Sequence, residues 1–207
     1  MKPPETPPAT VRLVLASRSP QRSALLDLLG VPYRVVVSAY DEDRHDGDPV
    51  TTVEGNARGK VAEVLERVDL TPGELALGVD TVVVLEGSVL GKAAGGDEAR
   101  SYLAALAGRR HEVYSGLHLC DRERSYTGHA VTGVTFRALA PADIDRYVAS
   151  DEWRDRAGAY AIQGVGSALV VAVDGDYFNV VGLPVALLVE ALATLGSPPF
   201  GWLRPRP

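Results

Sequence analysis

An α/β fold is what this sequence predicts: a mixed, twisted sheet with flanking helices. Three observations predict it. Residues 11–16 are a short apolar run that ends in a Ser/Arg-rich turn and an amphipathic helix pattern, the start of a βαβ unit. Residues 75–85 are a Val-rich run of central-strand length, and "EGS" at 86–88 turns it into a short partner. Two further strand-length stretches, about 110–120 and 124–137, follow each other with no helix between them. A chain that mixes βαβ units with a hairpin builds a mixed sheet with helices on it. Such sheets place ligands in a cleft beyond strand ends.

Each element has its own signal. Ser19 is a good N-cap, and Pro20 takes the favoured first helical position. Ala24, Leu25, Leu28 and Leu29 give that helix an apolar face, and Gly30 suits its end. Residues 33–37 read as a second strand, and 39–49 as an acidic loop. Thr51 and Glu54 have capping-box spacing, opening a helix to about residue 68 with Val53, Ala57, Val61, Val64 and Val68 inward. A turn at 71–73 precedes the central strand. Residues 97–107 form a helix ended by Gly108, and Pro141 starts another to about 150. Residues 164–173 are strand-like, 175–184 are a turn and a strand, and 184–195 are the last helix, closed by Gly196. The Pro-rich stretches 1–10 and 197–207 read as flexible tails around one domain, 11–196.

Composition narrows the function. The 207 residues are 46% hydrophobic, enough for a real core. The net charge of -6 lacks the broad basic field that non-specific nucleic-acid binding needs, so no nucleic acid is expected as partner. The single cysteine, Cys120, permits no disulfide within the chain and fits a reducing cytoplasm. The first ten residues have no apolar core of a signal peptide. No apolar run approaches a membrane span, so no membrane is expected either. The four histidines show no metal-ligand spacing.

Several residues could carry chemistry. Asp80 interrupts the apolar run 76–87, and a carboxylate inside a central strand needs partners. It is a metal ligand or general base, or else a strand-end residue that caps a turn. Thr81 points to the opposite face of a regular strand. The acidic triplet 41–43 is a solvated loop unless Glu42 meets Asp80 in space, where the two could hold a hard cation such as magnesium. Asn56 and Lys60 share one helix face, and Lys92 follows Gly91 at a strand end. The helix start at residues 19–22 offers free amides, a positive dipole end, serine hydroxyls and two arginines, a phosphate cradle. Residues 154–166 are Gly/Ala-rich, and Gln163 there could read a base edge through its amide. The same stretch also suits a tight loop around a packed Tyr160, and Asn179 either faces the cleft or caps a turn.

Together these segments resemble the Maf family of nucleotide pyrophosphatases. "LASRSPQRSALLDLLG", "GVDTVVVLEGSVLGK", "HEVYSGL", "VTFRAL", "YVAS", "DRAGAYAIQG" and "GDYFNVVGLP" occur in the family's order over about residues 11–196. The resemblance implies a two-lobed mixed sheet around a deep cleft, similar to the inosine triphosphate pyrophosphatase fold. It implies hydrolysis of a nucleoside triphosphate to the monophosphate and pyrophosphate with a divalent metal cation, magnesium or manganese. In that reading Asp80 is the proton acceptor and, with Glu42, a metal partner. Ser17, Arg22, Lys60 and Lys92 match phosphate-holding positions. Three positions track the base in the family. Thr81 and Gln163 match its dTTP/UTP-type members, whereas Gln21 stands where those carry Arg. "GKAAGG" departs from the usual GKP, and "RDRAGAY" keeps a cation at Arg156. The resemblance also implies a homodimer. A second reading is a nucleotide-binding regulator of septum formation with little turnover; the poised Asp80 and Glu42 favour the enzyme.

Overall fold

The computed structural model describes residues 11–42 and 47–202. Residues 43–46, which hold Asp43 of the acidic triplet and His45, lie outside them, as do 1–10 and 203–207.

The strands are β1 (Arg12–Leu15), β2 (Tyr33–Val35), β3 (Glu74–Leu85), β4 (Ser88–Leu90), β5 (Arg110–Cys120), β6 (Ser125–Phe136) and β7 (Val170–Asp174). The helices are α1 (Pro20–Leu29), α2 (Pro49–Leu65), α3 (Gly96–Leu106), α4 (Pro141–Val148), α5 (Tyr177–Val181) and α6 (Val185–Thr194), with a 3₁₀ turn at Gly164–Leu169. One mixed sheet runs β2-β1-β3-β5-β6-β7, and β4 pairs with β3. The first three strands are parallel, as the βαβ opening predicts, and the rest are antiparallel. The main core lies on one face, where Leu13, Leu15, Leu77 and Val83 meet Leu103, Leu117, Leu188 and Leu192. Arg34 of β2 reaches Glu74 at the start of β3 through two hydrogen bonds of 2.8 and 2.9 Å. The Arg34 hydrogen bond outweighs burial and holds the Glu74 carboxyl at about 2.

Helix α2 covers the other face, and glycines let it lie close. A Cβ on Gly78 of β3 would stand 2.2 Å from the Ala57 carbonyl oxygen. One on Gly116 of β5 would stand 2.3 Å from the Val53 backbone. Backbone cannot yield the way a side-chain tip can, so both positions need the bare Cα. Val53, Ala57, Val61 and Val64 are buried there, as their spacing predicts.

Several boundaries differ from the sequence reading. The cap of α2 is Asp48, which accepts from the Val50 and Thr51 amides; the capping box at Thr51 does not form because the helix begins at Pro49. In α1, Leu25 and Leu26 are buried while Ala24 and Leu28 are exposed, because Leu25 and Leu26 join the main core with Leu13 and Leu15. Residues 164–169 form a 3₁₀ turn before β7. Residues 177–181 form the short helix α5, not a strand, because Asp176 caps it by accepting from the Phe178 amide. The chain after 196 does not fray at once. Trp202 is buried in the main core, and its indole N–H donates to the Leu29 carbonyl at 3.0 Å.

His111 lies between Phe136 and Tyr160, sharing a 2.9 Å hydrogen bond with the Tyr160 hydroxyl. Burial pushes its imidazole down to about 4, so it is neutral in the folded protein.

Two predictions test this packing. Gly116→Ala is expected to cost about 1–3 kcal/mol by overpacking, read as a lower urea midpoint. Gly55→Ala, whose Cβ meets open space on α2, is the control that holds or raises it. The second concerns pH. The folded state binds the His111 proton more weakly than the unfolded chain, so its contribution is complete above pH 6.5 and is lost as pH falls towards 4. Burial lowers His118 too, with the same sign. Urea unfolding should therefore show roughly 3 kcal/mol lost across that window from His111, and His111→Gln should flatten the slope.

Candidate active site

The cleft is built on a break in strand pairing. On one edge of β3, β1 covers residues 74–77 and β4 covers 83–85. The opposite edge is paired with β5 from 76 to 84. Residues 78–82 therefore have one open edge, and Asp80 and Thr81 stand at its middle. A cleft of about 680 Å³ opens there, lined by the α1 start, residues 38–42, Lys60, Lys92 and residues 152–164. That size suits a small-molecule ligand, for which sites run about 300–1,000 Å³.

Asp80 points to the α2 face. Lys60 donates to its Oδ1 at 2.7 Å, and the Asn56 amide donates to Oδ2 at 2.9 Å. Both donors come from one face of α2, four residues apart, at the height set by the Gly78 and Gly116 seat. Lys60 Nζ also donates to the Val79 carbonyl at 3.2 Å on the unpaired edge. Burial pushes the Asp80 carboxyl up. The Lys60 charge and hydrogen bond, Asn56 and Arg22 together outweigh it, and the net direction is down. Asp80 is thus a buried carboxylate held ionised.

Glu42 reaches the same ammonium, with Oε1 2.9 Å from Lys60 Nζ and Oε2 3.9 Å from Lys92 Nζ. Its loop is tied to α2 at two points. The Tyr40 ring lies over Gly59, where a Cβ would stand 2.3 Å from it. Glu63 accepts from the Ser38 hydroxyl and the Ala39 amide, both at 2.9 Å. Arg67 binds Glu63 and donates to the Val37 carbonyl at 3.0 Å. Its hydrogen bond is the largest cause that draws the Glu63 carboxyl down to about 2.

Thr81 points to the other face, as strand alternation predicts. It shares a 2.8 Å hydrogen bond with Ser115, its partner on β5. Arg22 donates to Thr81 Oγ1 at 3.3 Å, to Ser17 Oγ at 3.0 Å and to the Gly182 carbonyl at 2.9 Å. Burial pushes the Arg22 guanidinium down, while Asp80 and Glu42 pull it up. Ser19 occupies the N-cap position of α1 but does not cap; its hydroxyl donates to Gln21 Oε1 at 3.0 Å. The start of α1 therefore has no side-chain cap, and Ser19, Pro20, Gln21 and Arg22 line the cleft.

The structure thus brings Ser17, Gln21, Arg22, Glu42, Lys60, Asp80, Thr81, Lys92 and Gln163 to one cleft. It alters two expectations about how they stand there. Glu42 and Asp80 are joined through Lys60, and Lys60 is engaged with both carboxylates while Lys92 is the exposed lysine. Asn179 does not line the cleft; it is fully buried and donates to the Val113 carbonyl and Thr132 Oγ1, each at 3.0 Å. Sequence reasoning missed Tyr40, Glu63 and Arg67. The Glu63–Arg67 spacing of four was a visible signal, but it reads as an ordinary surface pair until the loop docks on it.

The family model described as Maf-like protein matches residues 12–195. A protein of an Anaeromyxobacter species named dTTP/UTP pyrophosphatase is 48% identical over 195 residues, 90% of this chain and 91% of its own. Similar proteins of the same name come from Moorella thermoacetica (47% identity, 92% of this chain, 98% of the relative) and Gloeobacter violaceus (46%, 89%, 96%). A match over nearly the whole chain, with the motif residues gathered at one cleft, places the protein in the Maf-like family.

Proposed function

We propose that this protein hydrolyses pyrimidine nucleoside triphosphates, dTTP and UTP foremost, to the monophosphate and pyrophosphate. The observation that carries the reading is Asp80, a buried ionised carboxylate on an unpaired strand edge, with cationic groups around it. The dTTP/UTP pyrophosphatases at 46–48% identity supply the substrate.

Phosphoryl transfer depends on positioning and charge stabilisation. Asp80 orients the attacking water and takes its proton. Lys60 and Asn56 fix the carboxylate in place for that step. Arg22, Ser17, Lys92 and the uncapped α1 amides hold phosphate oxygens and stabilise departing pyrophosphate. Gln163, Thr81 and Gln21 face the base. Gln21 keeps hydrogen-bonding capacity without the charge of the family Arg, which widens the preference towards CTP or modified pyrimidines.

A divalent cation fits the donor set. Glu42 and Asp80 already converge on one cationic centre, the Lys60 ammonium. Among the described residues no three His, Cys, Asp or Glu cluster into an all-protein cage. Two carboxylates completed by phosphate oxygens and waters are what magnesium or manganese takes in nucleotide enzymes. Glu42 and Asp80 would be the residues to hold it, and the cation would offset phosphate charge and acidify a water.

Among the described residues no helix is long and apolar enough to cross a membrane. A single buried cysteine suits a cytoplasmic enzyme, and two copies of the chain form the working dimer in this reading.

A substrate panel with magnesium, resolved by chromatography, tests the proposal. Monophosphate and pyrophosphate should form from dTTP and UTP, with weaker turnover of CTP. Gln21→Arg should narrow the preference to dTTP and UTP. Asp80→Asn should lower kcat by about 10²–10⁴, and retained activity would remove Asp80 from the mechanism. No turnover of any nucleotide by folded protein would leave only nucleotide binding. Lys60→Met should move the acid limb of kcat/KM to higher pH, because burial then acts on Asp80 with less opposition.

A further inference from the structure

We infer that Glu152 is a positioning residue for base selection: its carboxylate fixes the turn that presents Gln163 to the cleft. This rests on reading the cleft as a nucleotide site.

Glu152 follows α4, and its carboxylate reaches across to the start of the 3₁₀ turn. Oε1 accepts from the Val165 amide at 3.0 Å, and Oε2 from the Gly166 amide at 2.7 Å. Those are the second and third amides of the turn, and Gln163 at its N-cap position supplies no side-chain cap. A carboxylate 13 and 14 residues away therefore does the capping, through charge-assisted bonds. The fit is close. Gly164 has φ +66°, and a Cβ there would stand 2.1 Å from Glu152 Oε1. One on Gly166 would stand 2.0 Å from the Ala161 carbonyl oxygen. The Ala161 amide in turn donates to the Tyr147 hydroxyl at 3.0 Å. Residues 161–166 are thus pinned at both ends.

Between the pins stands Gln163. It is exposed and lines the cleft, and its side-chain amide makes no hydrogen bond among the described residues. An amide on a flexible side chain distinguishes base edges only if its Cα is fixed, since a loose site tolerates any edge. Glu152 provides that fixity. Asp80, by contrast, is held from α2, whereas the Glu152 carboxylate binds two amides of the turn and lies beside the Tyr147 hydroxyl. Loss of Glu152 therefore acts on KM and on base discrimination, and leaves the chemical step.

Steady-state kinetics with dTTP and dGTP and magnesium test this in wild type, Glu152→Ala, Glu152→Gln, Gln163→Ala and the Glu152→Ala/Gln163→Ala double variant. Glu152→Ala should raise KM for dTTP about tenfold with kcat within about twofold. The dTTP/dGTP ratio of kcat/KM should fall by a similar factor. Glu152→Gln, which keeps one acceptor, should lie between. The double variant should be no less selective than Gln163→Ala, because one residue acts through the other. Unchanged selectivity in both Glu152 variants, losses that multiply in the double variant, or a kcat loss equal for both nucleotides would each overturn the inference. If Glu152→Ala does not fold, Glu152→Gln alone and paired with Gln163→Ala carries the same comparison. Wild type that does not prefer dTTP would overturn the functional reading beneath. A preference in wild type that the variants leave unmoved overturns only the role of Glu152.

Discussion

Asp80 lies in a strand whose neighbours are mostly apolar, and its carboxylate is tolerable there only with the Lys60 ammonium 2.7 Å away. Removing two charges from water costs several kcal/mol per ion, about what their attraction returns when the geometry is good. The pair therefore adds little to stability. What it does is keep one carboxylate ionised at a fixed point on an open strand edge. The rest of the site is arranged around that constraint. Asn56 takes the second carboxylate oxygen, and Glu42 balances the ammonium from the solvent side.

The pair depends in turn on how deeply α2 sits. A lysine four residues from an asparagine reaches Asp80 only because Gly78 and Gly116 let the helix backbone touch the sheet. The same helix carries the anchors of the 38–42 loop, with Gly59 under Tyr40 and Glu63 beneath Ser38 and Ala39. One element thus sets Lys60, Asn56 and Glu42 relative to Asp80. The α1 side is set separately, by Arg22 bonded to Ser17, Thr81 and the Gly182 carbonyl. The two faces of β3 therefore contribute different chemistry to one cleft, a carboxylate from Asp80 and a hydroxyl from Thr81, because the edge between β1 and β4 is open to both.

Much of this was legible in the sequence. The Val-rich run fixed β3, Asp80 stood out as a charge within it, and Gly30 and Gly108 marked helix ends. The misses have physical causes. Asp48 and Thr51 are both cap residues, and the choice between them turned on Pro49, which suits the first helical position. Residues 177–181 are β-rich in composition but become a helix because the Asp176 carboxylate caps them and Asn179 is drawn inward to β5 and β6. Tertiary contacts outweigh propensity there. The roles of Tyr40, Glu63 and Glu152 depend on partners 13 to 25 residues away or on a bare Cα, which periodicity does not encode.

The remaining wall of the cleft is built differently from the floor. Between residues 151 and 159, Asp151, Asp155 and Ala159 have φ of 58°, 57° and 56°, the left-handed region that side chains other than glycine rarely take. Each such residue costs of order 1 kcal/mol and persists only where its surroundings over-determine it. Here they do. Trp153 is buried with its N–H on the Val148 carbonyl, Gly158 donates to the carbonyls of residues 90 and 91, and Lys92 bridges to Ala157. That last contact ties the wall to the strand end that bears Lys92. A floor held by ion pairs and a wall held by strained, bonded turns can change independently. On the proposed reading, a change in the wall that leads to Gln163 alters the base side of the cleft while Asp80 and its partners stay in place.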